Sequence, residues 1–278
     1  MLSRPASRRL ALGLSTLLGI ARRGWFIPDC NADTARPPLV YAGLEPLFAA
    51  AAADFADAVA GLDAFADDFA RMTGPPPAPR FDQGWFPPLD AAVAYAMVRR
   101  RRPRRIVEIG CGHSTRFLAR AVADGGLTTT ITAIDPAPRA DLAGLDVEFL
   151  RMSIQAAGSR PFAALAAGDM LLVDSSHVLM PGSDVDIILG EVLPRLPAGV
   201  VVQFHDVFLP DGYPADWSWR GYNEQQGLVG WLDGGRARLL FASHYTATRL
   251  AGAVAASVVG RLPHHPEAPD AALWFELA

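Results

Sequence analysis

The sequence predicts a doubly wound α/β fold, with a mostly parallel seven-stranded sheet that carries an antiparallel edge strand. Three observations carry that prediction. From residue 105 onward, short β-branched runs alternate with helix-like segments, the pattern of parallel βαβ units. The first run, Ile106-Val-Glu-Ile109, drives straight into Gly110-Cys-Gly112 and then into a helical segment. The chain has 278 residues, 51% of them hydrophobic and 19% charged, enough for one large domain with an accessory piece.

The accessory piece comes first. Arg4, Arg8 and Arg9 precede the apolar stretch Leu10 to Ala21, and Arg22 and Arg23 follow it. The stretch is too short to span a bilayer, which takes about 20 residues. Arginines also occupy the zone where a signal peptide would be cleaved. Leu10, Leu14, Leu17, Leu18 and Ala21 share one helical face. We expect this helix to pack on its own domain or on a second subunit, the common fate of short amphipathic helices. Its basic ends also suit an anionic membrane surface, so residues 4–25 are the candidate for oligomer or peripheral membrane contact.

Residues 44–72 form an alanine-rich helical region in which Phe55, Val59, Leu62, Phe65, Phe69 and Met72 recur every three to four positions. Thr73-Gly-Pro-Pro-Pro-Ala-Pro79 breaks it and reads as a linker. We therefore expect a helical extension and Pro-rich linker over 1–79 and the main domain over 80–278. A helix over 89–100 opens that domain. Strands are expected at 105–109, 128–134, 146–150, 170–174, 199–205, 237–243 and 271–277, with helices at 115–123 and 185–193 between them. The arginine run 99–105 ends a helix, where positive charge is favourable, and reads as a solvated connector.

Net charge is −4, so no basic field argues for nucleic acid. All 25 basic residues are arginine, a composition typical of a GC-rich bacterial coding sequence. Cys30 and Cys111 make no disulfide framework, and a bridge at Cys111 would obstruct the glycine turn. A reducing, cytoplasmic setting is expected, with contact at the inner membrane surface through the N-terminal helix as the peripheral variant.

The chemistry gathers at strand ends. The glycine turn suits close approach of a nucleoside ligand, and Thr115 stands where a dinucleotide fingerprint needs its third glycine. Asp135 ends the second strand 23 residues after Gly112, the spacing of a ribose-binding carboxylate. The fourth strand ends in Asp174-Ser-Ser-His177 and the fifth in His205-Asp206. Two carboxylates converging at one edge invite a divalent cation, with Asp174 and Asp206 as ligands that lower the pKa of a substrate hydroxyl. His177 is the candidate to take the proton. His205 is either a third ligand, favouring manganese or iron over magnesium, or a partner that orients Asp206. The aromatic loop from Val207 to Gln225 is placed to cap a substrate, with Asn223 and Glu224 as weaker candidates for contacts behind it.

These residues resemble the class I S-adenosylmethionine-dependent methyltransferases. Glu108-x-Gly110-x-Gly112 is similar to that superfamily's first motif, and Asp135 to its acidic ribose ligand. Gly112-His-Ser-Thr115, Asp174-Ser-Ser-His177 and His205-Asp-Val-Phe-Leu-Pro210, with Tyr213-Pro214, narrow the likeness to the bacterial family 24 type, over about residues 80–277. A weaker similarity extends to Gly24-Trp-Phe-Ile-Pro28. The resemblance implies a Rossmann-like sheet with S-adenosylmethionine above its carboxyl edge, held by Glu108, Gly110, Cys111, Gly112, His113, Ser114 and Asp135. It implies O-methylation of a sugar, glycan or small-molecule hydroxyl, with Asp174 and Asp206 at metal-ligand positions and His177 as base. His205 departs from the metal-dependent relatives, which carry an acid there. Two enzymatic alternatives share the fold, a metal-dependent hydrolase and a nicotinamide-dependent oxidoreductase. A non-catalytic binding protein is the third.

Overall fold

The protein is described by a computed structural model over residues 4–25 and 27–278, with side chains from residue 7 onward. Phe26, part of the weaker similarity at 24–28, lies outside the described residues. The chain divides into two compact units, Met1–Pro38 and Leu39–Ala278. In the first, α1 (Arg4–Leu17) is the expected amphipathic helix, and Leu10, Leu14, Leu17 and Leu18 on it and just after it are all exposed. Among the described residues no helix is long and apolar enough to cross a membrane.

The second unit is a seven-stranded sheet in the order β3-β2-β1-β4-β5-β7-β6. The strands are β1 (Arg105–Ile109), β2 (Thr130–Ile134), β3 (Glu148–Leu150), β4 (Met170–Val173), β5 (Val201–Phe204), β6 (Ala237–Ala242) and β7 (Leu273–Leu277). All seven expected strands form. β1 to β5 pair in parallel, while β7 runs against both β5 and β6. The antiparallel element expected at the edge is thus a pair, with the reversed strand one place in. β4 and β5 are buried along their whole length, so they read as continuous apolar runs rather than alternating ones. Phe204 and Phe275 stack across the β5–β7 pair with ring centroids 6.1 Å apart.

The boundary expected at residue 79 falls inside this unit, which already begins at Leu39. Leu44, Phe48, Phe55, Val59, Leu62, Phe69 and Met72 all belong to the main hydrophobic core. Phe55 meets Phe241 of β6 edge to face, with centroids 5.5 Å apart. The expected single helix over 44–72 is broken into α2 (Glu45–Ala50), α3 (Ala52–Ala60) and α4 (Ala66–Ala70), with a tight 3-10 turn over Gly61–Phe65. The apolar spacing was right, and the breaks let the same face follow the curve of the core.

α5 (Pro88–Arg101) starts with a proline, whose fixed φ suits the first helical turn, and is buried from Pro88 to Ala96. Such a helix needs no polar face, which makes the buried Asp90 conspicuous. The arginine run after it is less solvated than expected. Arg99 pairs with Asp68 at 2.9 Å and Arg101 with Glu276 at 2.9 Å. α6 (His113–Asp124) follows β1 and packs on α5. The chain leaves β1 toward β2 and β3, then returns to β4 on the other side, so β1 and β4 flank the point where strand order reverses. That is where a doubly wound sheet opens a crevice at its carboxyl edge.

Candidate active site

The turn after β1 is fixed by one close approach. Gly110 has φ +78°, and a Cβ there would lie 1.7 Å from the carbonyl oxygen of Asp174. Only glycine lets the turn press against the end of β4. Beyond it, the Cys111 amide donates to Asp135 Oδ2 at 2.9 Å, and the Ala137 amide donates to Asp135 Oδ1 at 2.6 Å. Each carboxylate oxygen retains a second lone pair.

Glu108 stands behind the turn, buried. Its two oxygens accept from Ser114 Oγ at 2.6 Å and from Thr115 Oγ1 at 2.5 Å. The Gly112 amide donates to Thr115 Oγ1 at 3.0 Å. Thr115, read in the sequence only as an absent glycine, therefore ties the turn to the start of α6. Glu108 was expected to touch the cofactor; the structure gives it the job of holding the turn. Burial pushes its carboxyl up to about 7, against the pull of the Ser114 and Thr115 hydroxyls, with Asp174 and Asp135 adding to the rise.

Two adjoining clefts open over the strand ends. One, of about 330 Å³, is lined by Gly110, Cys111, Asp135, Ile154, Asp174 and Ser175 among others. Ser175 Oγ is buried without a hydrogen-bond partner, a hydroxyl that sequence reasoning passed over. The second cleft, of about 100 Å³, is lined by Gly112, His113, Ser114, His177, His205 and Asp206. Cys111, Arg139 and Asp174 line both. Burial, then the nearby Arg116 and Arg80, lower His113 to about 4, so that imidazole is neutral.

The second cleft is floored by a cluster of acids and imidazoles. His177 Nε2 lies 3.2 Å from Asp174 Oδ1 and 3.5 Å from Asp206 Oδ2, while Nδ1 meets Glu224 Oε1 at 2.5 Å. His205 Nδ1 lies 3.5 Å from Asp206 Oδ1 and 3.7 Å from Asp174 Oδ1, and its Nε2 meets Asp90 Oδ2 at 3.1 Å. Asp90 is itself fixed by the Ala271 and Ala272 amides at 2.9 and 3.1 Å. Two carboxylate–imidazole pairs thus flank two aspartates. Asp174, Asp206, Glu224 and Asp90 meet only two imidazoles, which leaves two negative charges even with both imidazoles protonated. Burial disfavours charge on both rings. Even so, Glu224, Asp174 and Asp206 raise His177 well above its ordinary value, and Asp174 and Asp206 do the same for His205. Burial likewise opposes charge on Asp174, but the two imidazoles, His205 foremost, hold its carboxyl well below the usual range.

One ligand atom each from Asp174, His177 and Asp206 lie within 4.8 Å of one another, the arrangement of a metal site. The sequence offered His205 as third ligand and His177 as base. Both imidazoles face the two aspartates with one nitrogen and are held through the other, His177 by Glu224 and His205 by Asp90. His177 and Asp206 also sit at φ 60° and 56°, in the left-handed region. Such backbone costs about 1–3 kcal/mol per residue and gathers at functional sites.

The aromatic loop does close over this floor. The Tyr222 ring lies 4.5 Å from the His177 ring. The Asn223 amide donates to His177 O at 3.0 Å. Its side chain accepts from Leu179 N at 2.6 Å and donates to Leu179 O at 3.2 Å. Glu224 opens helix α7 (Glu224–Asp233) and is fully buried, with Oε2 lacking any partner. The weaker candidates Asn223 and Glu224 are therefore what hold His177. Asp90 and Tyr222 were missed. A lone acid in an otherwise apolar helix was the only available signal for Asp90. His264 and His265 lie half-exposed and pair with Asp270 and Asp82.

A family model described as a methyltransferase domain, the family 24 type, matches residues 107–207. That span runs from β1 to just past β5 and contains the expected site residues from Glu108 to Asp206, with Asn223 and Glu224 beyond it. None of the curated proteins matches the chain. Similar solved structures include the SAH-bound methyltransferase PaMTH1 of Podospora anserina, at 16% identity and TM-score 0.40, covering 92% of this chain and 99% of that one. An O-methyltransferase of Bacillus cereus in complex with SAH is 14% identical, TM-score 0.41, covering 78% and 90%. TomG of Streptomyces achromogenes, an O-methyltransferase in complex with SAM, is 19% identical, TM-score 0.39, covering 80% and 90%.

Proposed function

We propose that this chain, whose residues 107–207 match a methyltransferase-domain model, is an S-adenosylmethionine-dependent methyltransferase that methylates a hydroxyl oxygen on a sugar, glycan or small molecule. The observation that carries the proposal is the pair of adjoining clefts that share Cys111, Arg139 and Asp174. A donor in the larger cleft and an acceptor over the Asp174–His177–Asp206 floor would meet at their junction. Gly110, Cys111 and Asp135 would hold the donor, with Asp135 taking the ribose hydroxyls. Gly112, His113 and Ser114 line the acceptor side of the turn, so their contact with the donor is at its reactive end.

The reaction is an in-line displacement in which the substrate oxygen forms a bond to the methyl carbon as the sulfur–carbon bond breaks. The protein's work is alignment and removal of the hydroxyl proton. His177 is the proton acceptor in this reading, its ring oriented by Glu224. An imidazole gripped by three carboxylates keeps its own proton, so it becomes a base only when positive charge arrives beside Asp174 and Asp206. The donor set fits a divalent cation: two carboxylate oxygens, one imidazole nitrogen and two uncompensated negative charges. Bound to Asp174 and Asp206 with His205 behind them, magnesium, manganese or iron would supply Lewis acidity to the acceptor hydroxyl and leave His177 to take its proton.

Transfer of a labelled methyl group to a panel of sugars and phenols, with and without chelator and added manganese, tests the proposal. Turnover that falls on chelation and returns with metal supports the full reading. Turnover indifferent to chelation removes the cation and leaves the donor's own sulfonium as the positive charge that frees His177 to act as base. Nicotinamide dinucleotide binding without S-adenosylmethionine binding would sink the whole reading. For residues 4–25 we propose contact with a second subunit or an anionic membrane surface, supported by the exposed leucines of α1. A cytoplasmic setting is supported by Cys111, whose thiol is free within the donor turn.

A further inference from the structure

We propose that the methyl acceptor carries an oxyanion, a carboxylate or phosphate ester, one ring away from the methylated hydroxyl, and that Arg220 reads it. The inference rests on the methyltransferase reading above and extends it to the class of acceptor.

Arg220 ends the 3-10 turn Ala215–Arg220 in the loop after β5 and lines the acceptor cleft alone, not the donor cleft. Its guanidinium carbon lies 4.0 Å over the Trp217 ring and 5.4 Å from the Tyr222 ring, and the residue is partly buried. Nη1 donates to the Tyr222 hydroxyl at 3.1 Å, and Nε is buried with no partner at all. Among the described residues no carboxylate stands within ion-pair reach of it. The contrast with other partly buried arginines is direct: Arg99 holds Asp68 at 2.9 Å, and Arg249 holds both Asp211 and Glu45. A sheltered guanidinium with unused donors is the expensive state of this side chain unless a ligand completes it. Its flat fork suits an oxyanion with two acceptor oxygens.

Arg139 is the only comparable group in the cleft, 4.3 Å over the Trp85 ring. It lines both clefts, which suits the carboxylate of the donor's own methionine moiety. That leaves Arg220 for the acceptor. Tyr222 neighbours both groups: its ring lies 4.5 Å from the His177 ring and 5.4 Å from the Arg220 guanidinium carbon. A single sugar or benzene ring spans hydroxyl and oxyanion between those two groups. The acid Glu267 on the same cleft repels an anion elsewhere and sharpens the choice of position.

The test is a set of matched acceptors: D-glucuronate and D-glucose 6-phosphate against D-glucose, and 3,4-dihydroxybenzoate against catechol. Labelled methyl transfer is measured for wild type, Arg220→Gln and Arg220→Lys, with S-adenosylmethionine affinity and circular dichroism followed in parallel. Wild type is expected to prefer an anionic member by roughly ten- to hundredfold in kcat/KM, carried by KM. Arg220→Gln should bring that ratio near one, and Arg220→Lys should retain part of it, with donor affinity unmoved. Which anion is preferred separates carboxylate from phosphate. Equal turnover of neutral and anionic members overturns the proposal, as does a preference that survives Arg220→Gln. So does donor binding with no turnover of any anionic member. Loss of donor binding in wild type would overturn the methyltransferase reading itself.

Discussion

The two clefts are built in opposite ways. On the donor side, the polar groups of the turn close on one another, with Ser175 Oγ the one unpaired exception named above: Glu108 is satisfied by Ser114 and Thr115, and Asp135 by the Cys111 and Ala137 amides. On the acceptor side they do not. Four carboxylates face two imidazoles, Glu224 Oε2 and Arg220 Nε lack partners, and His177 and Asp206 are held in left-handed backbone. A satisfied turn keeps its shape with nothing bound. An unsatisfied cluster keeps free energy in reserve for the ligand that completes it.

The sharpest way to break this contrast is at His177. His177→Ala should lower kcat by roughly 10²–10⁴-fold, the usual scale for general-base loss, while calorimetric donor affinity stays within about twofold. A parallel fall in donor affinity would mean the two sides are not separately built. Next in size is Gly110→Ala. Its new Cβ meets the Asp174 carbonyl at 1.7 Å, so urea unfolding should show a loss of roughly 3–4 kcal/mol together with lost donor binding.

Glu108 gives a pH test of the donor side. Its carboxyl is raised from 4.5 to about 7, so the folded state holds that proton more tightly than the unfolded chain does. Stability is therefore highest below pH 4.5 for this group and falls as pH rises through 7, by roughly 3 kcal/mol in all. Glu108→Gln should flatten that part of the stability–pH curve measured by denaturant titration. An unchanged slope would remove Glu108 as the titrating group. The smallest effect is expected at Asp206→Gly. Relief of the φ 56° backbone should raise stability by about 1 kcal/mol, a melting-temperature gain of about 2–4 °C, while methyl transfer is lost. A melting temperature no higher than that of Asp206→Ala, which loses the same carboxylate but keeps a Cβ, would show that Asp206 is not strained.

The same division explains what could be read from the chain. Ile106 to Thr115 announces itself because strand, glycine turn and helix are consecutive, and Asp135 follows at a fixed spacing. The Asp174 and His205-Asp206 strand ends were legible for the same reason. Asp90 was not, because it reaches His205 across 115 sequence positions and only the folded sheet brings them together. The roles of His177 and His205 were hard to divide for a similar cause, since both reach the aspartates and differ in what holds the other ring nitrogen, Glu224 or Asp90. Arg220 lay unread inside an aromatic loop, since an unpaired guanidinium can be recognised only once its neighbours are known. The helical arm over 45–70 looked separable because its linker is proline-rich, whereas Phe55 and its companions bury it in the common core.

Asn223 ties the end of the aromatic loop to the backbone of His177 and to both backbone groups of Leu179. The loop that covers the acceptor and the segment that presents the imidazole therefore travel together. Any displacement of the loop would carry the imidazole with it, so cover and base form one mechanical piece.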